Sequence, residues 1–268
     1  MIEFYNYLLS FAICSVIFVP LERLFSAHRQ KYLRKEWFTD LAFYTGQFFV
    51  FTHLTIFLLV SINSYLDEVM FVEFRALVKQ QPLWLQVIEV VVLCDVCIYW
   101  AHRLSHKFDF LWRFHRVHHT APRLDWLAAY REHPFDNIYT RLVENLPALI
   151  LGFSMETLAG FVAFRGLWAL FIHSNTNFSM GPLKYLLGSP RLHHWHHDVE
   201  CNSKCNFANL MPLIDVIFGT FHDPGHMPKR YGLPNKESHN YVFQLVQPLV
   251  PAALLNRLMR PEVSSSQS

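Results

Sequence analysis

The chain is poor in charge. Lys, Arg, Asp and Glu make up only 16% of its 268 residues, where a soluble domain carries about 25%. That shortfall excludes an ordinary water-facing surface over the whole chain and points to lipid contact. Blocks of like charge are also missing: 23 basic residues stand against 21 acidic ones, for a formal net charge of +2. No nucleic-acid partner is therefore expected. There is no Gly-rich dinucleotide fingerprint and no evident haem-binding domain, so electrons for any redox step must come from another protein. The N-terminal run MIEFYNYLLSFAICSVIFVPLERLF lacks a basic leader and a small-residue cleavage site, and reads as a retained membrane helix. Cysteines are few: Cys14, Cys94, Cys97, Cys201 and Cys205. An odd count, with three inside apolar stretches, excludes a disulfide framework. The pair Cys94 and Cys97 sits in VVVLCDVCIYW with no second C-x-x-C, so helix packing is expected of it. Cys201 and Cys205 are expected to be structural or incidental in a reducing compartment. No internal repeat or low-complexity tract is present.

What the chain has instead is apolar length. Hydrophobic residues reach 52%, with 25 Phe. Residues 4–22, 41–62 and 83–101 are each apolar over the roughly 20 residues a bilayer crossing needs. A fourth apolar region, 142–172, contains Pro147, Gly152 and the polar turn Ser154-Met155-Glu156-Thr157. It predicts two helices, each short of a comfortable span, joined as a tilted or partly re-entrant hairpin. Glu144 and Arg165 lie on its opposite arms and are expected to pair. Arg23, Arg29, Lys31, Arg34 and Lys35 follow the first span, and Arg103, Lys107, Arg113, Arg116 and Arg123 follow the third. Between the second and third, Arg75 and Lys79 are offset by Asp67, Glu68 and Glu73. The positive-inside rule puts the two basic segments in the cytosol. Residues 174–240 then form a cytosolic cap, 241–256 an interfacial segment broken by Pro248 and Pro251, and the tail SSSQS a disordered end. The expected fold is an all-α integral membrane protein: transmembrane helices plus a short helical hairpin, under a cytosolic histidine-rich cap. One domain is expected over 1–268, with its catalytic core at about 85–225.

Eleven of the sixteen histidines fall between His102 and His197, most of them in three boxes. HRLSH holds His102 and His106. HRVHH holds His115, His118 and His119. HHWHH holds His193, His194, His196 and His197. On a helix, positions i, i+3 and i+4 share a face, so each box predicts two or three imidazoles aimed at a common point. His194 falls about 100° off the third face and reads as a supporting or substrate-side residue. Neutral imidazole is the commonest metal ligand. Eight are too many for one zinc ion and suit two metals, although imidazole accepts iron, zinc, copper or nickel alike. The H-E-x-x-H of a zinc hydrolase is absent, with Arg103 in the glutamate's place. Oxygen activation by a non-haem iron pair is the better match. Asp95, Tyr99, His102 and His106 occupy one helix face, and Asp95 is a candidate orienter of metal-bound histidines. Asp215, in IDVIFGT, is a similar candidate.

The boxes H-x3-H, H-x2-H-H and a distant H-x2-H-H resemble those of the sterol desaturase and fatty acid hydroxylase superfamily. DVCIYWAHRLSH, LWRFHRVHHTAP, and SPRLHHWHHD followed by CNFANLMPLIDVIFGTF carry the likeness, over roughly residues 85–225. The spacing within the first two boxes is similar to that of alkylglycerol monooxygenase, a member acting on ether lipids. The resemblance implies a four-helix membrane scaffold with a cytosolic di-iron site, O2 as co-substrate and an external electron donor such as a reductase, a ferredoxin or a cytochrome b5-like protein. It implies His102, His106, His115, His118, His119, His193, His196 and His197 as ligands, with His173 of FIHSNTNF as a ninth. Asn177 stands where some members carry a further histidine. His133 of YREHPFD reads equally as ligand, pocket residue or loop structure. The expected reaction is hydroxylation of a lipid C–H bond (fatty acyl, sterol or ether lipid), with desaturation on the same ligands as the alternative. A non-catalytic metal-binding membrane scaffold is the rival from another class. A bacterial inner membrane is favoured over the endoplasmic reticulum.

Overall fold

The computed structural model describes residues 1–201, 204–235 and 237–251. The tail SSSQS and residues 252–256 of the expected interfacial segment lie outside the described residues. Among these the regular structure is helical, with two isolated bridges, Ser26 to Thr176 and Asp198 to Tyr231.

Four stretches are long and apolar enough to cross a membrane: Ile2–Leu24, Trp37–Val69, Leu83–Lys107 and Met155–His173. The first is α1. The second is α2 (Trp37–Gly46) and α3 (Thr52–Val69), joined without a break by a π turn at Gln47–Phe51. A short helix, α4 (Val72–Lys79), leads into α5 (Leu83–Lys107). The hairpin consists of α7 (Pro134–Leu151) and α8 (Met155–His173), preceded by α6 (Asp109–His115).

One expectation needs correcting. Three spans plus a short hairpin were predicted, but α8 is a fourth candidate span of 19 residues. The reason lies at its start. Ser154 caps the helix, its Oγ accepting from the Thr157 N–H at 3.2 Å, so Met155, Glu156 and Thr157 form the first helical turn rather than a loop. The bend itself needs only Gly152 and Phe153. Gly152 takes φ +88°, the left-handed conformation that ends a helix and suits glycine. Arg75 of α4 packs over it. That guanidinium bonds the carbonyls of Leu149 and Ile150 at the end of α7, and Asp67 at 2.7 Å. A residue counted as an exposed outer-loop charge thus caps a helix from within.

α5 packs along α7 and α8, and α3 packs on α7. Their shared core holds Leu66, Val90, Cys94, Leu149, Leu158 and Phe161. Cys94 is fully buried there, in keeping with a packing role. α1 joins through a second core of Cys14, Phe18, Tyr44, Trp126 and Leu170. Glu144 and Arg165 do pair, at 2.6 Å, and both are buried. At the end of the bundle bearing the basic segments, Arg34 is buried too, bridging Asp125 at 2.7 Å and Asp40 at 2.5 Å. Arg131 meets the same Asp40. Such buried pairs lose heavily if one partner is removed, so the network pins the chain before α2 to the loop before α7.

Candidate metal centre

The histidines arrive from five chain segments that end at one place. α5 carries His102 and His106 one turn apart near its C-terminus. An extended residue, Phe108, reverses the chain into α6, which ends at His115. The helix then tightens into a 3-10 turn, His118–Thr120. His173 closes α8. The third box rides on α9 (Pro190–His196), started by Pro190 and by Ser189 Oγ accepting from the Leu192 N–H at 3.3 Å.

They form two groups. His102, His106, His115, His119 and His196 make one, and His118, His173, His193 and His197 the other; within each, the ligand nitrogens lie within 4.8 Å of one another. The groups abut: the rings of His119 and His197, one from each, are centred 4.5 Å apart. The structure brings all nine expected ligands together, but not as one face per box. In the second box the i, i+4 pair His115 and His119 lies in the first group, and His118, about 100° from His119 around the helix axis, lies in the second. In the third box His193 and His197 stay together while His196 crosses over.

The outer nitrogens set the tautomers. His102 Nδ1 donates to the Phe207 carbonyl at 2.9 Å, His118 Nδ1 to that of Arg131 at 3.1 Å, and His173 Nδ1 to that of Ala169 at 2.7 Å. His196 Nδ1 donates to the Cys205 carbonyl and His115 Nδ1 to the Asp136 carboxylate, both at 2.8 Å. A carbonyl can only accept, so Nδ1 carries the proton and Nε2 presents a lone pair inward. His118 and His173 then face lone pair to lone pair, their Nε2 atoms 3.0 Å apart. His102 Nε2 and His106 Nε2 are buried with no protein partner among the described residues. Converging lone pairs repel unless a cation lies among them, so the donor set fits metal. Burial keeps the rings neutral: it pulls His118 down to about 4 and His196 to about 3, and holds His119, His193 and His197 well below the usual imidazole range. The neighbouring imidazoles push the same way. Nine nitrogens exceed the four that one tetrahedral ion accepts, and their division into five and four suits two ions. Between the groups lies a small cavity of about 80 Å³, reached by His102 and His115 of one and His118, His173 and His193 of the other.

The remaining site candidates lie outside these groups. Asp95, expected to orient a histidine, accepts from the backbone N–H groups of Leu210 at 3.3 Å and Met211 at 2.8 Å. Asp215, in α10 (Leu213–Ile217), accepts from the N–H groups of Phe207 and Ala208 and from the Thr220 hydroxyl. Both carboxylates therefore shape the 207–211 loop, and Asp215 reaches His102 only through the Phe207 backbone. Burial raises Asp215 to about 6. His133 caps α7, accepting from the Phe135 N–H, and its Nε2 donates to the Leu245 carbonyl of α11 (Tyr241–Val246). Asn177 is exposed and in neither group. His194 turns outward: its Nε2 donates to the Ser174 carbonyl, while its Nδ1 accepts from the Tyr231 hydroxyl at 2.7 Å. The carboxylate that does hold an imidazole, Asp136, was missed. Its signal was present in EHPFD, where a helix-starting proline sets an aspartate in the first turn of α7.

Residues 87–220 match the family described as fatty acid hydroxylase. An ornithine lipid hydroxylase of Rhizobium tropici is 32% identical over 171 residues, covering 63% of this chain and 52% of that protein. Human alkylglycerol monooxygenase is 32% identical over 129 residues, 47% of this chain and 28% of that protein. A methylsterol monooxygenase of Arabidopsis thaliana is 31% identical over 139 residues, 50% and 46%. The chain thus spans about half, or less, of the length of these relatives. No solved structure matches.

Proposed function

The chain belongs to the fatty acid hydroxylase family, and on that premise we propose that it is a membrane oxygenase that inserts oxygen into a C–H bond of a lipid. The observation that carries this is the pair of buried imidazole groups, five and four nitrogens, with lone pairs turned inward. We assign His102, His106, His115, His119 and His196 to one iron, and His118, His173, His193 and His197 to a second. The relatives are named as hydroxylases and monooxygenases of ornithine lipid, alkylglycerol and methylsterol, which supports oxygen insertion into a lipid over a scaffold role. The chemistry a bound iron pair supplies is the reductive activation of O2 that an unactivated C–H bond requires.

The protein's own part is geometric and electrostatic. Backbone carbonyls of Phe207, Arg131, Ala169 and Cys205 hold Nδ1 protons, fixing ring orientation and leaving Nε2 to bind metal. Asp136 does so for His115 with a charged acceptor. Asp95 and Asp215 keep the 207–211 loop closed over α5. Burial excludes water, which protects an oxidising site from side reactions. We place this end of the bundle on the cytosolic face, from its basic segments, with electrons coming from an external donor. We treat the chain as one membrane-embedded unit.

The test is lipid analysis of cells grown under ¹⁸O2, comparing the intact protein with His118→Ala, with iron content measured in both. A labelled hydroxyl or cleavage product present only with the intact protein is expected. No labelled lipid from an iron-loaded protein supplied with a reductase would refute the reading.

A further inference from the structure

Three cavities share walls and line up between α3, α7 and α8. The outermost, about 290 Å³, is apolar, walled by Ile56, Leu59, Val60, Leu158 and Val162. Ile56, Leu59, Asn145, Val162 and Ala163 also border a second, of about 370 Å³. Ala129, Glu132, Arg141 and Ala169 border both that one and the cavity between the histidine groups. The path thus follows one side of α8 from Leu158 to His173, roughly 22 Å at the rise of an α-helix.

Its middle carries polar groups among apolar ones. Gln47, Glu132, Asn137, Arg141 and Asn145 ring it, contributed by the π turn, the loop before α7 and one side of α7. Most of their polar atoms are matched to each other: Asn137 Nδ2 donates to Glu132 at 2.7 Å, and Arg141 pairs with Glu144 at 3.0 Å. Asn145 is the exception. It is 2% exposed. Its Nδ2 donates to the Arg141 carbonyl at 2.8 Å, which fixes the amide's orientation because that carbonyl can only accept. Its Oδ1 is left buried without a partner among the described residues, in a residue that lines both the outer and the middle chamber. A buried unpaired acceptor is destabilising and is satisfied by a ligand that brings a donor.

Resting on the oxygenase reading, we propose that the collar grips a polar linkage bearing an N–H or O–H donor, with Asn145 Oδ1 as its acceptor. The long apolar tail lies in the outer chamber, and the part of the ligand beyond the linkage runs through the middle chamber towards the histidines. The inner cavity of about 80 Å³ takes a few heavy atoms and no acyl tail. Asn145 is a specificity residue on this view, and oxidation falls beyond the linkage, never in the tail held by the outer chamber.

The test uses two matched probes, N-ethylpalmitamide and ethyl palmitate, which differ by one N–H. Each competes with a radiolabelled long-chain amide for the purified full chain in detergent. The amide is expected to bind the intact protein about fivefold tighter than the ester, the worth of one net hydrogen bond. Asn145→Leu is expected to erase that preference while leaving the ester's affinity unchanged. Equal binding of both probes to the intact protein overturns the proposal without any variant. So does an equal loss of both in Asn145→Leu. In the ¹⁸O2 experiment, label on the side of the polar group away from the long tail supports it, and label in the long tail overturns it while leaving the oxygenase reading standing. Amide preference lost in Asn145→Leu, with no labelled lipid from the iron-loaded protein, sinks the oxygenase reading and keeps the binding site.

Discussion

Asp136 is the charged member among the groups that hold Nδ1 protons. Asp136→Asn keeps the shape and removes the charge, so His115 becomes a poorer ligand. Supporting carboxylates of this kind are worth about 10–100-fold in metal affinity. The variant is expected to lose metal by that factor in a chelator competition, with folding retained. Protons are the other competitor. His118 and His196 sit at about 4 and about 3, whereas an unfolded histidine titrates near 6.5. Above that value both states are neutral and nothing is gained. As pH falls from about 6.5 towards 4, the unfolded chain takes protons that the folded chain refuses, and stability drops. The melting midpoint of metal-stripped protein is expected to be flat above neutrality and to fall across that window. At this scale the sequence was most readable. Box histidines announce themselves by number and spacing. Asp136 and Asn145 do not, because a first-turn aspartate and a mid-helix asparagine have many ordinary uses, and only the neighbours brought by folding tell them apart.

The elements were readable in type and less so in their joints. Apolar length gave three of the four candidate spans. What it missed was how little chain a turn needs: Gly152 and Phe153 suffice, so α8 is long enough to be a fourth. Gly152→Ala tests that joint. A left-handed φ is disfavoured for alanine by about 1–2 kcal/mol, and the added Cβ would lie 2.6 Å from Arg75 Cβ. A loss of about 2 kcal/mol or more is expected in detergent unfolding. Ser154→Ala, which removes only a cap, is expected to lose about 1 kcal/mol. Helical periodicity also treated the second and third boxes as one face each. In both, the i, i+4 pair shares a group and the i+3 histidine, about 100° from its i+4 neighbour, joins the other, a division that only the neighbouring segments decide.

Across the whole molecule the two imidazole groups draw on α5, α6, α8 and α9 together, so they clasp elements distant in sequence. A ligand that binds only the folded state stabilises it by mass action. Stripping metal is therefore expected to lower the melting midpoint and to loosen α9 first in hydrogen exchange, since α9 and its C-cap residue His197 together supply three of the nine nitrogens. The positive-inside reading put the basic segments at this same end, yet Arg34 among them is buried in ion pairs. Charge counting sees a residue's sign and not whether it faces water.

The division of the boxes also imposes an order on biogenesis. A ribosome making this chain finishes His102, His106, His115 and His119 before it begins the α7–α8 hairpin, so four of the first group's five nitrogens emerge early. The second group has only His118 by then and waits for His173, His193 and His197. On the two-iron reading proposed above, the first group is the one that can fill while the chain is still being made, and the second can fill only when the third box is complete.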